Sequence, residues 1–171
     1  MGDIIPFHRK AIELAKSYIG TTAEPDKLGF GVSGVVFLSP GGTTAIKIHQ
    51  RLRSFQVELQ AYEIITKHGL FDICGLSIPR LLHYDTKMRI IEMTVVEPPY
   101  LLDFAGVTFE PIDFSTDTQR EIGLKIERQF GTNAHFAYLV QHELEKYGIY
   151  YHDLRPSNLN LVLCHSINLG L

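Results

Sequence analysis

Apolar positions change their period several times along the chain. Between Ile4 and Ile19, the residues Ile5, Ala11, Leu14, Ala15 and Tyr18 recur at helical spacing, which predicts a leading amphipathic helix. From Leu28 to His49 the pattern becomes strand-like. Val35-Val36-Phe37-Leu38 is β-branched and aromatic, and Ser39-Pro40-Gly41-Gly42 has the composition of a tight turn, so a β-hairpin is expected. Arg51 to His68 returns to helical spacing, with Phe55, Leu59, Tyr62 and Ile65 in one stripe and Gly69 as its stop. Ile78–His83 and Met88–Val96 read as strands around a turn at Tyr84-Asp85-Thr86-Lys87, giving a β-β-α-β-β order. The prolines of Glu97-Pro98-Pro99-Tyr100 fix φ and remove ladder donors, so a lobe boundary is placed there. Beyond it, Asp113 to Asp117 offers several helix N-caps, and Arg120–Phe130 and Ala134–Tyr147 read as helices, the second ending at Gly148. Three segments result: a helix over 1–26, a lobe with a glycine-rich loop over 27–97, and a second lobe over 98–171.

Composition narrows the class. An apolar share of 45% with 20% charged residues is that of a soluble globular protein, and 171 residues suffice for two small lobes with a real core. A net charge of -3 argues against nonspecific nucleic-acid binding. No apolar run is long enough to span a bilayer and the N-terminus lacks a signal-peptide pattern, so a cytoplasmic protein without a membrane partner is expected. Cys74 and Cys164 are distant and unpatterned, which suits reduced, buried thiols. The eight histidines show no metal-ligand spacing.

The chemistry concentrates in two places. Gly29-Phe30-Gly31-Val32-Ser33-Gly34-Val35-Val36 is G-x-G-x-x-G-x-V, and Ala45-Ile46-Lys47 places a lysine inside an apolar run on the next strand. Glycines let a backbone approach phosphates without an intruding Cβ, and a lysine supplies a compact positive charge for their oxygens. A dinucleotide-binding turn would need the glycines to open a helix, yet here they lead into a strand; a Walker loop would need G-K-[ST], which does not follow. The second place is Asp153-Leu154-Arg155-Pro156-Ser157-Asn158, with an acid and an amide five residues apart around a proline-stiffened loop. In phosphoryl transfer such an Asp orients a hydroxyl and accepts its proton, while the Asn offers an oxygen to Mg²⁺. Arg155 could neutralise the transferring group.

Glycine loop, strand lysine, helix glutamate, linker, helix and catalytic-type loop, in this order over about Lys27 to Asn158, resemble the protein-kinase-like superfamily, in particular its bacterial kinase-like and small-molecule phosphotransferase branches. The resemblance implies an α+β fold: a small antiparallel-sheet N-lobe with one helix, plus a shortened, mainly helical C-lobe. It implies an ATP-binding protein that transfers the γ-phosphate to a hydroxyl, with a protein Ser/Thr and a small molecule both open as acceptor. Residue by residue, Gly29, Gly31 and Gly34 would cradle phosphates, and Lys47 would hold the α- and β-phosphates. Glu58 or Glu63 would pair with Lys47. Glu58 is preferred, since Phe55-x-x-Glu58-x-x-x-Tyr62 resembles the family's helix. Val36 and Ala45 would roof the adenine, and backbone around Val95-Val96-Glu97 would bond its edge. Asp153 would be the base and Asn158 a metal ligand, with His152 a prop for the loop.

The pattern breaks near the end. Tyr151-His152-Asp153 stands where protein kinases have H-R-D, so control through a phosphorylated activation loop is not expected. No aspartate follows Asp153, and Asn168-Leu169-Gly170 occupies the place of the family's D-F-G, so Asn168 would be a weaker, neutral metal ligand. The alternative is therefore a pseudokinase or scaffold acting by association. The chain is expected to be a truncated or minimal kinase-like protein. Its uncharged tail over 162–171, lacking its usual cover, is expected to seek a partner, for instance by dimerisation through the second lobe, which a monomer in sedimentation at high concentration would exclude.

Overall fold

The computed structural model describes residues 4–152 and 154–161. It is an α+β protein of two compact units, one formed by Met1–Glu63 with Arg80–Val95 and the other by Ile64–Pro79 with Val96–Leu171.

The first unit begins with α1 (Ile4–Ile19), whose single proline, Pro6, sits in the first turn where its missing N–H costs nothing. Gly20, at φ +74°, ends it in the left-handed conformation. Strands β1 (Lys27–Phe30), β2 (Gly34–Leu38), β3 (Thr44–His49), β6 (Leu81–Asp85) and β7 (Ile90–Thr94) form an antiparallel sheet in the order β1-β2-β3-β7-β6. The sequence pattern suggests a single hairpin over Leu28–His49. The chain instead folds back at the glycines, with Gly31 N–H donating to the Gly34 carbonyl at 2.9 Å, so the glycine loop is itself a hairpin turn.

Period-two alternation sorts the two faces of this sheet. Val35, Phe37, Ile46, Ile48 and Ile90 are buried with Ala11 and Ala15 of α1 in one apolar cluster. At its edge Tyr18 of α1 donates to Glu92 on β7 at 2.9 Å, and Thr44 of β3 donates to the other oxygen of that carboxylate at the same distance. Burial, then the Glu92 carboxylate, pushes the Tyr18 phenol above its ordinary range. The opposite face carries Val36, Ala45, Lys47 and His49. Helix α2 (Leu52–His68) starts in this unit, buries Phe55, Glu58, Ala61 and Tyr62 on one side, and is stopped by Gly69 at φ +65°.

The second unit combines helices with a small sheet of two-residue strands, β4 (Asp72–Ile73), β5 (Leu76–Ser77), β8 (Tyr100–Leu101) and β9 (Leu159–Asn160), ordered β4-β5-β8-β9. β4 and β5 pair locally, while β8 and β9 are fixed by distant partners, and segments this short leave no periodic trace in sequence. Helix α3 (Thr116–Phe130) is capped by Ser115, whose hydroxyl accepts the Thr118 N–H at 3.3 Å, and α4 (Ala134–Glu145) follows. Among the described residues, no helix is long and apolar enough to cross a membrane.

Candidate functional site

Lys47 and His49 lie two apart on β3, so both side chains leave the same face of the sheet. Opposite them, α2 presents Glu58. Its Oε2 lies 2.6 Å from the Lys47 ammonium and 2.7 Å from Nε2 of His49. All three are out of solvent, with exposures of 5% for Lys47, 0% for His49 and 1% for Glu58. Burial alone would raise the Glu58 carboxyl, but the Lys47 charge and the His49 hydrogen bond overcome it and hold the group down at about 2. Of the two candidate glutamates, Glu58 is thus the one turned onto the lysine. Glu63, five residues on and about 140° around the helix, is exposed.

The sequence pattern gives His49 no role. Its alternation with Lys47 inside a strand of apolar residues was the signal. Its ring is held by the edge of Phe55, with centroids 5.6 Å apart at 75°, and Nδ1 lies 3.2 Å from the Arg89 carbonyl oxygen. That same carbonyl accepts the His49 backbone N–H at 3.0 Å.

The three hairpin glycines differ. A Cβ on Gly34 would stand 2.2 Å from the Ile48 carbonyl oxygen, so the sheet itself demands glycine there. A Cβ on Gly29 or Gly31 would meet nothing within 4 Å, and neither residue has a positive φ. Packing and backbone conformation therefore leave those two glycines unexplained. Val36 pairs directly with Lys47 across β2 and β3, and Leu38 with Ala45, so Val36, Ala45 and Lys47 share a face; Val36 is half-buried and Ala45 buried.

In the second unit, Tyr150, Tyr151, His152 and Asn158 make hydrogen bonds to hydroxyl, amide and carbonyl groups. Tyr150 bridges Thr108, with backbone hydrogen bonds in both directions. The Tyr151 hydroxyl lies 2.7 Å from the Leu102 carbonyl oxygen and 2.6 Å from that of Asp103, and its own carbonyl accepts the Gln141 amide at 2.6 Å. Asn158 donates its Nδ2 to the Tyr151 hydroxyl at 3.3 Å, and the Leu102 N–H donates to the Asn158 carbonyl at 2.8 Å. His152 contacts the Thr108 hydroxyl at 2.9 Å and sits edge-on to Phe114, and burial lowers its pKa. Arg155 is exposed. Asp153, Asn168, Cys164 and the tail over 162–171 lie outside the described residues.

As a phosphate-binding surface, the first unit offers a buried cation and a hairpin with open space above two glycines. A metal finds less. Among the described residues no group of three or more His, Cys, Asp and Glu could hold one, and of the two expected metal ligands only Asn158 is described.

No family model matches the chain, and no curated protein does. Among solved structures it is similar to that of the streptomycin-ATP-APH(2")-IIa ternary complex, at 14% identity and a TM-score of 0.36. The match covers 70% of this chain and 39% of that one.

Proposed function

We propose that this chain is an ATP-binding member of the protein-kinase-like superfamily that passes the γ-phosphate to a hydroxyl, on a protein Ser/Thr or a small molecule. The observation that carries the reading is the buried Lys47–Glu58 pair on the strand next to the glycine hairpin. Sinking a lysine and a glutamate into an apolar layer is costly for stability alone, because desolvation offsets much of the attraction. A site that must aim an ammonium at phosphate oxygens explains that cost, and it also explains Gly29 and Gly31, where a backbone cradling phosphates would want no Cβ. In this reading Lys47 holds the α- and β-phosphates, Gly29, Gly31 and Gly34 cradle them, and Val36 and Ala45 roof the adenine. Asp153 takes the proton of the acceptor hydroxyl as its oxygen bonds to phosphorus and ADP leaves. Arg155 lies near the transferring group, and Asn158, with Asn168, would serve Mg²⁺.

The second reading, a pseudokinase that associates without catalysis, is favoured by Asn168 standing where the family has aspartate. Thermal unfolding with ATP, with and without Mg²⁺, on wild type and Lys47→Ala separates the two. ATP at about 100 times its Kd should stabilise the wild type by about 2.7 kcal/mol. A Mg²⁺-dependent shift lost in Lys47→Ala supports the enzyme, a shift indifferent to Mg²⁺ supports the pseudokinase, and no shift removes nucleotide binding.

A further inference from the structure

We propose that His49 is a positioning residue for the nucleotide site: its Nε2–H grips Glu58 Oε2 and so fixes the carboxylate that aims Lys47. The proposal rests on the reading of Lys47 as the phosphate-binding lysine.

A lysine ammonium is a compact charge on a flexible four-carbon stem, so a single Lys–Glu contact leaves both partners room to swing. Here a second donor from the same strand reaches the same oxygen, at 2.7 Å beside the lysine's 2.6 Å. Two strand positions one pleat repeat apart, about 7 Å, thus fix one carboxylate oxygen between them. An ionised carboxylate only accepts, so the imidazole must donate at Nε2. The ring is also packed against the edge of Phe55, and the backbone of its own residue is pinned by the His49 N–H donating to the Arg89 carbonyl at 3.0 Å. An apolar side chain would fill this fully buried position without needing any partner. Histidine there has a purpose if Glu58 must be aimed and not merely neutralised.

The first test uses the wild type. The ¹⁵N spectrum of His49 should show Nε2 protonated and hydrogen-bonded; a bare acceptor nitrogen there overturns the proposal. The second is calorimetric titration with MgATP. His49→Leu should weaken binding about tenfold, as loss of a hydrogen bond to a charged group implies. His49→Gln, whose amide nitrogen can replace Nε2, should largely restore it. In the Glu58→Gln background His49→Leu should add almost nothing, because its effect passes through Glu58. Losses that simply add would overturn the proposal, since a merely structural histidine would behave that way. If even the wild type fails to bind MgATP, the nucleotide reading falls, and the ¹⁵Nζ signal of Lys47 still decides the positioning role. Faster ammonium exchange in His49→Leu but not in His49→Gln supports it, and unchanged exchange sinks it.

Discussion

Two polar clusters in this chain are built on opposite plans. In the first unit Lys47, His49 and Glu58 are sunk between a sheet and a helix, and the Lys47–Glu58 ion pair with the His49–Glu58 hydrogen bond holds them together. In the second, Tyr151, His152 and Asn158 lie in a loop and are held by hydroxyls, amides and carbonyls of neighbouring turns. Charges in an apolar layer define direction strongly but leave no tolerance for a missing partner. Neutral loop contacts fix the backbone path at lower stakes, since each member lost takes only its own hydrogen bonds with it.

The comparison is broken most severely by removing one charge. Lys47→Met should leave the Glu58 carboxylate buried and half-compensated, costing about 3–5 kcal/mol in a urea titration. Acid should reach the same pair from the other side. Because the Glu58 carboxyl is lowered from 4.5 to about 2, its contribution is fully present above pH 4.5 and is lost as pH falls toward 2. That loss is on the order of 3 kcal/mol, and urea midpoints against pH should show it in wild type but flattened in Lys47→Met. Tyr151→Phe sharpens the contrast. It strips the hydroxyl shared by Leu102, Asp103 and Asn158 and should cost about 1–3 kcal/mol with little dependence on pH below 4.5. The smallest effect belongs to His152. Its pKa is lowered by burial, so its share of stability is present above pH 6.5 and fades as pH falls below that. Histidine NMR titration should place its midpoint under 6.5.

The sequence disclosed these two plans unequally. The helix over Ile4–Ile19 could be read because helical phase is a long-range regularity, and Glu58 was preferred over Glu63 because Phe55-x-x-Glu58-x-x-x-Tyr62 resembles the helix of the kinase-like family. The turn at Gly31–Gly34 was not separated from the longer hairpin because strands of four and five residues on either side of it are shorter than any periodic window. His49 escaped because a lone histidine in an apolar strand resembles a core residue until its partner on another element is known. Tyr151 was quoted but given no role, since its bonds to the carbonyls of Leu102 and Asp103 span about 50 residues of chain. Strands β8 and β9 likewise exist only through distant pairings, Ser77 with Tyr100 and Tyr100 with Asn160.

The unequal glycines of the hairpin carry a consequence for heredity. Under selection for a folded chain alone, position 34 should accept no other residue, whereas positions 29 and 31 should drift freely to alanine or serine. Under selection for whatever the hairpin binds, all three should freeze together. A saturation library scored once for abundance and once for activity would therefore separate the glycine that the architecture requires from the two that only a visitor could require.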